Sequence, residues 1–139
     1  MKDKFFIDTN IFIYSFDNSN ALKQQKAIDI ISSSLYNSNG CISYQVIQEF
    51  INTATQKFIN PLNKDDCKKY IVTVLEPLCE VFSYVELFSD ALDIKEGWKY
   101  SFYDSLIIAA ALKANCNMLL SEDLHHGQQI RDLVISNPF

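Results

Sequence analysis

Phe5-Phe6-Ile7-Asp8-Thr9-Asn10, close to the N-terminus, is a short apolar run that ends at a carboxylate and two small polar residues. An apolar run of this length bounded by polar residues reads as a buried strand. Ile11-Phe12-Ile13-Tyr14 follows as a short helix or a second apolar turn. In open α/β sheets, ligands bind in the crevice beyond the carboxyl ends of the strands, so an acid ending strand one stands where chemistry is expected. Asp is equally a good helix cap, and Asp8 taken alone serves either reading.

Reading outward, Asn18-Ser19-Asn20 is a loop and helix start. From Ala21 to Tyr36, Leu22, Ala27, Ile30, Ile31 and Leu35 keep helical spacing, and Asn37-Ser38-Asn39-Gly40 ends that helix. Cys41-Ile42-Ser43 is a second strand, with Ser43 placed to cap the helix carrying Val46, Ile47, Phe50, Ile51, Ala54 and Phe58. Glu49 lies well off the centre of that apolar stripe, where a solvated side chain belongs. Asn60-Pro61-Leu62-Asn63 breaks the helix, and Asn63 opens another from Lys64 to Leu78. Glu80-Val81-Phe82 is a third strand, and Tyr84 to Glu96 a helix ended by Gly97.

The aromatic run Trp98-Lys99-Tyr100-Ser101-Phe102-Tyr103 reads as a loop packed over the core, with stacking on a base as the alternative use of one ring. Ser105 to Ala114 is apolar around its whole circumference, as a buried helix is. Asp104 stands at its start, where a carboxylate meets the positive end of the helix dipole. Met118-Leu119-Leu120 is a fourth strand followed by Ser121-Glu122-Asp123, His125-His126-Gly127-Gln128 a turn or short helix, and Leu133-Val134-Ile135 a fifth strand.

Strands alternating with helices predict one α/β domain over residues 1–139, a parallel five-stranded sheet with helices on both faces. Right-handed crossovers then line the strand C-termini along one edge. Asp8 and Asp123 follow strands one and four onto that edge, and a helix returning antiparallel to the strands begins there with Asp104. Glu49, about two turns into its helix, can reach it.

Composition is that of an ordinary soluble globular chain, with three glycines and three prolines that leave little room for linkers or low-complexity tails. No apolar run nears the roughly 20 residues a membrane span needs. Met1-Lys2-Asp3-Lys4 lacks the features of a signal peptide, so a cytoplasmic location is expected. Cys41, Cys67, Cys79 and Cys116 form no CxxC pair and sit in or beside apolar runs, which suits buried reduced thiols. The formal charge of −5 argues at first against a nucleic-acid partner. Two bound divalent cations would bring it to about −1, so charge neither supports nor excludes an RNA or DNA substrate.

Two carboxylates about 5 Å apart repel by roughly 3 kcal/mol at an effective dielectric of 20, and four together need a cation to stay ionised. Oxygen ligands without Cys or His suit Mg²⁺ or Mn²⁺. With a phosphate substrate, such an ion activates water and stabilises the leaving oxygen of an in-line displacement. The two histidines are adjacent, so no Ser-His-Asp or Cys-His arrangement competes, and GxxxxGK[ST] and GxGxxG loops are both missing.

Four pieces in this order resemble the PIN domain family, and within it the VapC-type toxin ribonucleases. They are Phe6-Ile7-Asp8-Thr9-Asn10, Ser43 with Gln48-Glu49-Phe50, Asp104-Ser105-Leu106-Ile107, and Leu120-Ser121-Glu122-Asp123-Leu124. The resemblance covers nearly the whole chain. It implies a strand order of 3-2-1-4-5, one or two Mg²⁺ or Mn²⁺ ions, cleavage of single-stranded RNA, and an antitoxin partner. It also turns Glu49 from a solvated residue into a metal-site carboxylate. By the same resemblance Asp8 and Asp104 bind metal directly, Asp123 binds a second ion or its water, and Asn10 and Ser121 orient these ligands. Glu122 stands beside Asp123 as its substitute. Leu22, Ile30, Ile31 and the segment from Tyr70 to Leu75 are candidates for an antitoxin groove or a homodimer face.

Rival readings are a receiver-type signalling module, a processing nuclease that is not a toxin, and a PIN-like domain that binds RNA without cutting it. The receiver needs an acid after strand three, where Phe82-Ser83-Tyr84 offers none.

Overall fold

The computed structural model describes residues 3–139; Met1 and Lys2, part of the segment read above for a signal peptide, lie outside them. β1 (Phe5–Ile7) is followed by α1 (Thr9–Tyr14), α2 (Ala21–Asn37), β2 (Gly40–Ser43) and α3 (Tyr44–Gln56). Then come α4 (Lys64–Tyr70), a π-helical turn (Ile71–Leu75), α5 (Glu76–Leu78), β3 (Cys79–Val81), α6 (Val85–Trp98) and α7 (Phe102–Lys113). β4 (Met118–Leu120), β5 (Gln129–Ile130) and β6 (Leu133–Ser136) complete the chain.

The sheet order is β3-β2-β1-β4-β6-β5. Its first five strands are parallel and reproduce the expected order, with β6 as the expected fifth strand. The expectation of five strands is corrected to six. Gln129-Ile130 pairs antiparallel with Val134 and Leu133 through a two-residue turn in which Arg131 is left-handed (φ 53°). Two residues are too few for an alternating pattern to register, so this strand was not visible in the sequence.

Leaving β1, the chain steps outward to β2 and β3, then jumps back across the sheet to β4. Right-handed crossovers in opposite directions place α1–α5 and α6–α7 on opposite faces, and the order reverses between β1 and β4. Phe6, Ile7, Cys41, Ile42 and Leu119 of the three central strands are fully buried. Seven consecutive residues of α7, Ser105 to Ala111, are buried as the all-round apolar pattern predicts.

Several element ends differ from expectation. Gly97 lies inside α6, and Lys99, left-handed at φ 64°, ends it. α7 is capped by Ser101, whose Oγ accepts from the Asp104 N–H, which leaves Asp104 in the first turn. Ser43 holds the cap position of α3, yet its buried hydroxyl makes no capping bond. The helix expected from Lys64 to Leu78 widens into a π turn just before Pro77. Proline has no N–H to offer the preceding turn and its ring crowds the carbonyl four residues back, which disfavours an unbroken α ladder. All four cysteines are free thiols.

Candidate metal and nuclease site

The register that pairs Phe5, Phe6 and Ile7 with Met118, Leu119 and Leu120 brings Asp8 beside Ser121. The Asp8 N–H donates to the Leu120 carbonyl (3.0 Å), which carries the pairing past the end of the strand. Asp8 is buried, and every oxygen of its side chain is engaged. Oδ1 accepts from the Thr9 N–H at 2.7 Å, capping α1, while Oδ2 accepts from the Ser121 hydroxyl at 2.7 Å. One carboxylate is thus both helix cap and crevice acid.

Asn10 ties the two strand ends together. Its Nδ2 lies 3.4 Å from Asp8 Oδ2, 3.3 Å from Ser121 Oγ and 3.1 Å from Asp123 Oδ2. Its Oδ1 accepts from the Glu122 N–H at 3.3 Å, and Ser121 Oγ accepts from the Asp123 N–H at 3.2 Å. Glu49 arrives from α3, where the Thr9 hydroxyl donates to Oε1 at 2.6 Å and the Gln45 amide approaches Oε2 at 3.4 Å. That amide also donates to the Tyr103 carbonyl (3.1 Å), linking α3 to the first turn of α7, which carries Asp104.

Asp8, Glu49, Asp104 and Asp123 all line one open cavity of about 330 Å³ with Thr9, Asn10, Asn52, Thr53 and Lys57. Glu122 does not line it. Its carboxylate accepts from the Tyr14 hydroxyl at 2.7 Å and pairs with Lys23 at 2.7 Å, and the Lys23 contact holds it below the usual carboxylate range. Neither His125 nor His126 lines the cavity.

Burial pushes the Asp8 carboxyl up to about 7; the Ser121 and Thr9 hydrogen bonds oppose this, and the charges of Glu49 and Asp123 add to it. Such a carboxyl is half-ionised near neutrality and gains from any cation placed before it. As the side chains stand, no three Asp, Glu, His or Cys groups among the described residues converge closely enough on one point to ligate an ion. Thr9 and Asn10 hold Glu49 and Asp123 by neutral donors, and mutual repulsion favours that spread. The donors are nonetheless all hard oxygens around one depression, with a buried acid at its base, and that set fits Mg²⁺ or Mn²⁺.

Residues 5–128 match the PIN domain family. The chain belongs to the PIN domain family. Its members are nucleases and generally use divalent metals. No curated protein matches the chain. Solved structures of similar fold include a toxin-antitoxin complex from Klebsiella pneumoniae, 16% identical with TM-score 0.68, covering 96% of this chain and 97% of that one. VapBC2 from Rickettsia felis, bound to a DNA fragment from its promoter, is 14% identical with TM-score 0.65 and the same coverages. VapC20 from Mycobacterium tuberculosis, a Sarcin-Ricin loop cleaving toxin, is 15% identical with TM-score 0.59, covering 84% of this chain and 87% of that one.

In this PIN domain the cavity is also lined by residues without a signal of their own in the sequence. Among them Thr9 holds Glu49 through its hydroxyl. Asn52 and Thr53 lie three and four residues beyond Glu49 on the same side of α3, and Lys57 follows just past its end. Extending the Glu49 face along the helix would have found them.

Proposed function

We propose that this PIN domain is a metal-dependent endoribonuclease that cleaves single-stranded RNA and serves as the toxin of a type II toxin-antitoxin pair. The observation that carries the reading is Asp8: a buried carboxyl, raised to about 7, with three further acids around the same cavity. Asp8, Glu49, Asp104 and Asp123 would hold Mg²⁺ or Mn²⁺. When bound, such an ion supplies Lewis acidity and an activated water for phosphodiester hydrolysis. Ser121 and Asn10 orient Asp8 and Asp123, and Thr9 and Gln45 orient Glu49.

Toxin-antitoxin complexes among the structures of similar fold support an antitoxin partner, and the RNA-cleaving toxin among them supports RNA as substrate. Of the side chains considered for an antitoxin groove or homodimer face, Leu22 and Val72 are well exposed while Ile31 and Leu75 are core. Ile30, Tyr70, Ile71 and Val74 are partly buried against the core, so Leu22 and Val72 offer the most exposed apolar surface of the set. No helix among the described residues is long and apolar enough to cross a membrane; a cytoplasmic location is part of the proposal.

The test is cleavage of a single-stranded RNA by the purified chain with Mg²⁺ or Mn²⁺, and its loss in EDTA. Asp8→Asn and Asp104→Asn should each abolish cleavage with the fold retained, as read by circular dichroism. Full activity in either folded variant would rule the site out.

A further inference from the structure

Next to the acid-lined cavity lies a larger groove of about 560 Å³, between the loop after α1 and the loop after α3. Ile13 lines both spaces, and the consecutive residues Lys57 and Phe58 line one each, so the groove adjoins the cavity. Its walls are apolar at Ile13, Phe16, Phe58 and Ile59, carry amides at Asn18 and Asn60, and include Asp17, whose carboxylate accepts from the N–H and hydroxyl of Ser19. Ile59 is 97% exposed, a large aliphatic side chain held in water at the groove wall.

Lys57 stands at the junction. It is the one basic side chain lining the acidic cavity among the described residues. Lys4 and Lys23 pair with Glu80 and Glu122, whereas Lys57 has no carboxylate within ion-pair distance among the described residues. Its position just past α3 suits the helix dipole, but that benefit does not require a place on the cavity wall. An uncommitted ammonium beside a carboxylate cluster is placed to attract a phosphate, and an apolar wall with amides at its rim suits a base.

Resting on the reading of this chain as an RNA nuclease, we propose that the groove beyond Ile13 holds the nucleotide adjoining the scissile phosphate. Lys57 takes a backbone phosphate, and the base lies against Ile59 and Phe58. Two features favour RNA over a protein segment here: the groove adjoins the acid cavity, and a cation sits near where the two spaces meet.

The experiment measures binding of a fluorescein-labelled single-stranded RNA to the full chain in Mg²⁺, by anisotropy, in an Asp104→Asn background that separates binding from cleavage. Adding Lys57→Ala or Ile59→Ser should weaken binding about five- to tenfold. Lys57→Ala should also lower the slope of log Kd against log salt by about 0.7, with Lys57→Arg restoring it and Ile59→Ser leaving it alone. In the active chain both changes should raise KM with kcat held. Both side chains are exposed, so unchanged melting temperatures certify the fold. Undiminished binding and an unchanged KM in both variants would overturn the proposal and leave the groove to a protein segment. Groove-dependent binding by a chain that never cuts would support the subsite and sink the nuclease reading instead. A parent chain that binds no RNA overturns both.

Discussion

Asp8 carries a stability signature as well as a chemical one. In the unfolded chain its carboxyl titrates near 3.8, and in the folded protein near 7. Between those values the unfolded state releases a proton that the folded state keeps, so this residue's contribution to metal-free stability falls as pH rises through the window. The full effect is on the order of 4 kcal/mol. Asp8→Asn removes the titration. In EDTA the variant should therefore melt above the wild type at pH values beyond 7, with the gap closing by about pH 4. Thermal melts of the two proteins across that range are the check, and a constant difference would show that Asp8 is not the group responsible. At the neighbouring pair, Glu122 is committed to Lys23 and Tyr14 while Asp123 lines the cavity. Glu122→Gln should cleave RNA at near wild-type rates and Asp123→Asn should be impaired; the reverse pattern would make Glu122 the fourth acid.

Among the elements, β2 packs closely against α2 at Gly40. A Cβ on Gly40 would lie 2.6 Å from the Ser34 Cβ of α2 and would also meet its hydroxyl. Ser34 is buried and its Oγ donates to the Ile30 carbonyl at 2.6 Å, so it has little room to yield. Gly40→Ala should cost about 1–3 kcal/mol by overpacking, read as a lower urea midpoint with an unchanged m value. Gly97→Ala, in an exposed helical position with open space around it, should stabilise by about 0.5–1 kcal/mol. The sequence marked both glycines as helix ends, and α2 does close beside Gly40. It misplaced the end of α6 because Lys99 adopts the left-handed conformation without glycine's freedom. Helix ends depend on such single-residue choices, whereas the body of α7 was legible because burial on every side leaves an all-apolar run.

For the whole molecule, the ion and the partner are the two quantities to measure. Saturating Mg²⁺ at a hundredfold excess over Kd should stabilise the wild type by about 2.7 kcal/mol. Asp8→Asn should gain much less, and equal gains would place the ion elsewhere. Expression of this chain alone should arrest growth, and Asp8→Asn should not. A wild type that accumulates harmlessly in cells yet cuts RNA when purified would make it a processing nuclease rather than a toxin.

What the sequence determined by itself was the alternation of strands and helices, the parallel sheet, and the delivery of Asp8, Asp104 and Asp123 to one edge. Those features follow from local apolar periodicity and from crossover handedness, both of which are written along the chain. Glu49 needed the family resemblance, because its own helix pattern marked it as a solvated residue. Only the tertiary structure decided that Asp8 both caps α1 and accepts from Ser121, that Glu122 turns to Lys23, and that Thr9 holds Glu49. It alone brought Lys57 to the mouth of the acid cavity. These contacts join residues as far as 113 positions apart. They are set by strand register and helix packing, which no local pattern encodes.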